Sequence, residues 1–203
     1  MAVTAWYIRH GHNPANQARQ LSHKVIDYPL TDLGVSQATA LAGQLVRQPA
    51  PAAIYASPLR RAAQTAEIIA ARTGCRVVII EGLRELDVGE LDGRSDEEAW
   101  TVYHQVLADW RAGRHGTSFP GGEDYFQVTA RLAAAMGAAL SHPPGSRILI
   151  AGHGAVIRAA IPAICPATPA PASDLPNCGI AELALHLAPG GVTGSLKHWP
   201  LTL

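Results

Sequence analysis

Short apolar runs alternate along this chain with longer stretches in which apolar residues recur every three or four positions. That is the pattern of buried strands separated by helices that cover them. Residues 3–8, 53–56, 77–80 and 147–151 are the short runs, and 180–187 and 192–198, joined across Pro189-Gly190-Gly191, read as a closing pair of strands. Between them, Thr31 caps a helix whose buried stripe is Val35, Ala38, Leu41, Ala42, Leu45 and Val46, and Pro49 and Pro51 stop it. Ser57 as N-cap and Pro58 at the first helical position open the next helix, which buries Leu59, Ala62, Ala66 and Ile69 and ends at Gly74. Ser95 with Glu98 forms a capping box for a helix running to about Gly113. A further helix presents Phe126, Leu132, Ala135, Met136 and Ala139 before Pro143-Pro144-Gly145 turns the chain. Residues 16–30 and 162–173 carry no period and read as irregular, and a short helix follows Gly154. Strands alternating with helices predict an α/β fold.

Two of the strands end alike. The run 3–8 stops at Arg9-His10-Gly11, and the run 147–151 stops at Gly152-His153-Gly154. Open α/β sheets place ligands at the carboxyl ends of their strands, so if these two are parallel neighbours, His10 and His153 share one crevice with Arg9. Gly11 removes a side chain that would hold a ligand off the backbone, and the amides of the helix after Gly154 suit an anion. A planar guanidinium grips phosphoryl oxygens, and a neutral imidazole offers a nucleophilic nitrogen. The pairing predicts phosphoryl chemistry.

These two blocks, with Asn16 after the first and Val156-Ile157-Arg158 after the second, resemble the signatures of the histidine phosphatase superfamily, branch 1, whose members include the cofactor-dependent phosphoglycerate mutases. Further blocks fall in order: Ser57-Pro58-Leu59-Arg60-Arg61-Ala62, then Leu83-Arg84-Glu85 followed by Gly89 and Gly93, and more loosely Pro120-Gly121-Gly122-Glu123. Helical spacing does not choose between Arg60 and Arg61, but the resemblance assigns Arg61 to the phosphate. It implies a three-layer α/β/α sandwich, mostly parallel with one antiparallel edge strand. It also implies that His10 becomes a phosphohistidine, that Glu85 is the general acid and base, and that Arg9, Arg61 and His153 complete the catalytic set. Asn16, Gly11, Gly154, Ala155, His12 and Asn13 are then expected to meet phosphate or substrate, with no metal and no cofactor. The imidazole at 10 must be neutral, so its second nitrogen is expected to donate to a backbone carbonyl.

Two departures narrow the reading. His12 and Asn13 stand where relatives usually carry an acidic or amide residue and then a hydroxyl, and the segment between Glu85 and His153 is shorter than in the mutases. The second favours hydrolysis over mutase-type transfer. Other readings are a metal-dependent hydrolase with His10 and His12 as zinc ligands, a spacing that zinc tolerates, and a non-catalytic phospholigand-binding module.

Composition adds limits. Sixteen basic and sixteen acidic side chains cancel, leaving no overall charge for nucleic acid or an anionic membrane. Cys75, Cys165 and Cys178 lack metal-ligand spacing and read as free thiols. The chain passes at once into its first strand, without a charged leader or a bilayer-length apolar run, so a cytoplasmic protein is expected. The length suits one domain over 1–203, with a small cap inserted at about 86–120. The expected partners are a small phosphorylated metabolite as substrate and, for the protein itself, a second copy in a homodimer. Cap aromatics such as Trp100, Tyr103 and Phe119, and Tyr125 just beyond, either pack the insertion or meet an organic part of the substrate. Asn177 reads as a turn residue, and Asp87, Glu90 and Asp92 as solvated loop carboxylates.

Overall fold

A computed structural model describes residues 2–203. Its six-stranded sheet has the order β3-β2-β4-β1-β5-β6, with β1 Val3–Arg9, β2 Ala53–Ala56, β3 Val77–Ile79, β4 Arg147–Gly152, β5 Ile180–Ala188 and β6 Gly191–Leu201. β1 and β4 are parallel neighbours in the middle, with Arg9 opposite Gly152. The strand running against the rest, β5, pairs β1 on its far side and carries β6 beyond it at the edge.

Alternation along each strand sends side chains to two cores. Trp6, Ile8, Ile54, Leu149 and Ala151 pack under α2 (Asp32–Leu45) and α3 (Arg60–Thr73). Ala5, Tyr7, Tyr55, Ile148 and Ile150 pack on the opposite face under α5 (Tyr125–Ala139) and α6 (Gly154–Ile164), with α4 (Glu97–Arg111) joined to the same cluster. This is the three-layer arrangement expected.

Several local readings are corrected. Residues 14–18 form a short helix, α1 (Pro14–Ala18), inside a stretch read partly as loop, because Asn13 and Asn16 cap each other reciprocally. α3 starts at Arg60 with Leu59 as N-cap, since the Ser57 amide is tied to the Ala151 carbonyl at the end of β4 and its hydroxyl is used elsewhere. Asp96, not Ser95, caps α4 by accepting from the Ala99 amide. β3 was expected to be buried, yet Val78 and Ile79 are exposed because β3 is the sheet's other edge. Phe126 is exposed too, and Tyr125 and Val128 take its place on the core face of α5.

Among the described residues, no helix is long and apolar enough to cross a membrane.

Candidate active site

The parallel pairing of β1 and β4 brings His10 and His153 to one end of the sheet, their ring centroids 5.2 Å apart and edge to face. Both are buried. The His10 amide is anchored on the Gly152 carbonyl at 2.9 Å, and its Nδ1 lies 2.7 Å from the Gly11 carbonyl. A carbonyl only accepts, so Nδ1 carries the proton and Nε2 is left with a lone pair. Arg61 confirms that assignment, since its Nε donates to His10 Nε2 at 3.1 Å. Burial first, then the Arg61 and Arg9 guanidinium groups, hold the His10 pKa well below its ordinary value, overriding the opposing effect of Gly11. The shift favours the neutral ring that the chemistry implied by the resemblance needs.

His153 is held by its neighbours on both sides. Its amide donates to the Tyr7 hydroxyl at 2.9 Å, and that hydroxyl donates to the His153 carbonyl at 3.2 Å. A Cβ on Gly152 would sit 2.1 Å from the same hydroxyl, which explains the glycine there. Nε2 lies 2.8 Å from Ser57 Oγ, while Nδ1 is buried with no partner. Ser57 Oγ accepts from the Leu59 amide and keeps its own proton; where it gives that proton to His153 Nε2, the ring proton sits on Nδ1. Burial, then Arg61 and His10, push the His153 pKa well down.

Arg61 is buried in the first turn of α3, and its Nη2 donates to the Ser22 carbonyl at 2.9 Å. Arg60 is exposed, so of the two arginines only Arg61 enters the site. Arg9 crosses over Gly154, where a Cβ would lie 3.1 Å from its Cδ, and its Nη1 donates to the Leu175 carbonyl at 2.6 Å. Asn13 is buried with its Nδ2 unpartnered and faces the same cavity. Asn16 Oδ1 accepts from the Asn13 amide and from Asn177 Nδ2, both at 3.2 Å, so its own amide group is turned to donate. Asn177 also donates to the His10 carbonyl at 2.9 Å. Asn177, read from the sequence as a turn residue, and Tyr7, read only as part of a strand, thus brace the site. Their hydrogen bonds span more than a hundred residues, a separation that local pattern does not encode.

Glu85 reaches the site from the loop after β3. Its Oε1 accepts from the Val156 amide at 2.7 Å and the Leu86 amide at 3.0 Å, and its Oε2 has one longer contact, 3.3 Å, to the Ala155 amide. Ala155 lines the cavity as expected of a residue near the substrate, but its amide and that of Val156 already donate to the Glu85 carboxylate. Gly11 and His12 differ from expectation. The Gly11 amide donates to Thr65 Oγ1, and a Cβ there would lie 2.6 Å from the Gly34 carbonyl, so the glycine allows α2 to pack close. His12 bonds Thr31 Oγ1 through Nδ1 at 2.9 Å and does not line the cavity. His10 and His12 turn to different partners, and among the described residues no group of three histidine, cysteine or acidic side chains is placed to hold a metal ion.

Two loop carboxylates are not simply solvated. Asp92 accepts the amides of His23, Lys24 and Val25, fixing the loop that carries Ser22 to Arg61. Asp87 accepts the Gly89 amide.

A buried imidazole, two guanidinium groups and the unsatisfied amide of Asn13 line one cavity with the Glu85 carboxyl group, a set of groups that suits a tetrahedral anion, and His153 lies buried beside His10. The chain belongs to the histidine phosphatase superfamily, branch 1, whose family model matches residues 5–193. Among its relatives, the probable phosphoglycerate mutase GpmB of Erwinia tasmaniensis is 34% identical over 200 residues, covering 95% of this chain and 89% of the relative. The mycobacterial glucosyl-3-phosphoglycerate phosphatase solved in complex with VO3 matches with a TM-score of 0.81 at 26% identity, over 98% of this chain and 99% of that one. Its complex with inorganic phosphate gives 0.79 at 26% identity, over 98% and 97%.

Proposed function

We propose that this protein is a phosphatase that hydrolyses monoesters of small molecules through a phosphohistidine on His10. One observation carries the reading: the buried, neutral His10 has its proton held on Nδ1 by the Gly11 carbonyl and its Nε2 lone pair turned to Arg61. Nε2 forms a bond to phosphorus as the bond from phosphorus to the alcohol oxygen breaks. Arg9, Arg61, Asn13, Asn16 and His153 take the three remaining oxygens as charge shifts onto them. Glu85 gives the departing oxygen its proton. Oε1 is saturated by two amides, so Oε2 is the oxygen with room to carry that proton. Water then attacks phosphorus, Glu85 takes a proton from it, and the N–P bond breaks, restoring neutral His10 and releasing phosphate.

Mutase-type transfer is the second reading, favoured by the names of relatives such as the one from Erwinia. Against it stands the cavity beyond the cage, where Arg158 is already paired with Asp174. The three cysteines are free, which suits a reducing compartment, and the cytoplasm is the proposed location.

Acid-stable trapping fails for phosphohistidine, so the test is an alkaline quench with a phosphorus-labelled ester. Label is expected on His10, and His10→Ala is expected to lower kcat/KM by roughly a thousandfold or more. Full turnover by that variant overturns the proposal, and isomerised phosphoglycerate without free phosphate moves it to the mutase reading.

A further inference from the structure

The phosphate cage occupies only one end of a continuous cavity of about 860 Å³. Cavities of that size enclose drug-sized molecules, far more than a phosphate and a three-carbon acid require. What lines the rest decides what it holds. One wall is aromatic and comes from α4 and the start of α5: Tyr103, Leu107, Trp110 and Tyr125. The facing wall comes from α6, whose Ala159, Pro162 and Ala163 are small and leave the width open.

The aromatic wall is rigid. Phe119 is fully buried behind it, stacked on Tyr103 at 5.6 Å and meeting Trp110 edge to face at 5.4 Å, while His115 stacks on Tyr125 at 4.0 Å. Phe119 thus packs the segment in place while the other rings face inward. The Trp110 indole N–H is spent on the Thr117 carbonyl at 2.7 Å, so this ring has only its apolar surface to offer. Tyr103 has no hydrogen-bond partner in the protein among the described residues, and burial raises its pKa, which keeps its hydroxyl a neutral donor.

Charge points the same way. Beyond the cage, Arg158 is neutralised by Asp174, and the other lining cation, Arg111, is exposed. Nothing there is a buried, unpaired cation for a second anionic group, which a phosphoglycerate would bring.

We propose that this cavity takes a phosphate monoester whose alcohol portion is bulky, uncharged and ring-bearing, laid between the aromatic wall of α4 and the small residues of α6. The inference rests on the phosphatase reading and names the substrate class of the same site. Preformed rings cost little to order, and apolar area removed from water favours the larger ester in binding and in the transition state alike.

The test compares primary alkyl phosphates whose leaving alcohols have similar acidity: ethyl, hexyl and 4-phenylbutyl phosphate, with 3-phosphoglycerate alongside. The kcat/KM for 4-phenylbutyl phosphate is expected to exceed that for ethyl phosphate by about tenfold or more, with 3-phosphoglycerate below both. Ala163→Trp, which narrows the cavity, is expected to collapse the ratio between the phenylbutyl and ethyl esters. Equal values across the series, or 3-phosphoglycerate as the best substrate, overturn the inference while leaving the phosphatase reading intact. Failure to hydrolyse any of the four, with no label on His10, overturns the reading on which it rests. The wild-type series decides the matter even if Ala163→Trp does not fold.

Discussion

Each imidazole of the site has one oxygen set against one of its ring nitrogens, a carbonyl that fixes the proton in one case and a hydroxyl that can direct it in the other. For His10 the oxygen is the carbonyl of the next residue, Gly11, and for His153 it is the hydroxyl of Ser57, 2.8 Å away from Nε2. The second arrangement is the more vulnerable, because a hydroxyl that donates to Nε2 is the reason Nδ1 can donate to a phosphoryl oxygen. Ser57→Ala removes that preference, and kcat is expected to fall about tenfold, the order of one neutral hydrogen bond in a transition state. Nitrogen-15 NMR of His153 is the readout that a merely structural role would not move: the wild type is expected to show the proton on Nδ1, and the variant a mixture of tautomers. Ser57→Thr, which keeps the hydroxyl, is expected to restore both. The sequence presented Ser57 as a helix cap, a reasonable reading of Ser-Pro before an amphipathic stretch. Tertiary context took the hydroxyl for another purpose, and α3 starts with no side-chain cap.

At the scale of elements, Glu85 is positioned by a strut that runs from α5. Arg131 donates through Nε and Nη2 to both oxygens of Glu123 at 2.7 Å, and through Nη1 to the carbonyls of Gly82 and Arg84 at 2.9 and 3.0 Å. Glu123 in turn accepts the Asp87 amide at 2.9 Å. The loop from Gly82 to Asp87 is therefore gripped on both sides of Glu85. Arg131 also reaches the Glu85 carbonyl itself at 3.3 Å, so Arg131→Met leaves three carbonyls and a carboxylate without their donor in a partly buried place, and a loss of about 2–4 kcal/mol is expected in urea unfolding. The same variant is expected to lower kcat more than it raises KM, because substrate binds largely through residues of β1, β4 and α3 while proton transfer depends on the loop. Arg131→Lys is not expected to rescue it, since an ammonium has no planar fork. Sequence made the strand ends, the α3 stripe, the middle of the α2 stripe and Glu85 legible, because each rests on local periodicity or on a contiguous block; at the two ends of the α2 stripe Val35 and Val46 are exposed. The purpose of Pro120-Gly121-Gly122-Glu123 was hidden, for it lies in a pairing of two loops. A Cβ on Gly122 would stand 2.3 Å from the Asp87 carbonyl, and Gly89, with φ of 53°, would meet the Pro120 carbonyl at 2.1 Å. Glycines announce close approach in a sequence, but not what approaches. For the same reason β3 looked like an interior strand: its β-branched residues suit either place in a sheet, and only the strand order puts it at an edge.

The whole molecule enters through burial. His10 comes from the end of β1, His153 from the end of β4 and His23 from the loop between α1 and α2, and the folded chain buries all three. Burial is the largest cause that lowers each of their pKa values. For His10 and His153 the arginines of the site act in the same direction, whereas the carboxylates of Asp87, Glu85, Asp92 and Glu123 partly oppose the shift of His23. In the unfolded chain these rings titrate near 6.5. Above that pH both states are neutral and the full stability is present. Below it the unfolded chain binds protons that the folded one refuses, so stability falls with pH until the depressed folded values are reached. Each ring that stays neutral costs at most about 1.4 kcal/mol between pH 7.5 and 5.5. The unfolding free energy from urea titrations is accordingly expected to drop over that interval. His10→Gln, which cannot take up a proton in either state, is expected to reduce the drop by about one ring's share, whatever it does to stability at pH 7.5. A drop as large in the variant as in the wild type would mean that the imidazole at position 10 titrates in the folded chain as it does in the unfolded one, and the nucleophile on which the chemistry depends would then turn into a cation as the pH falls through about 6.5.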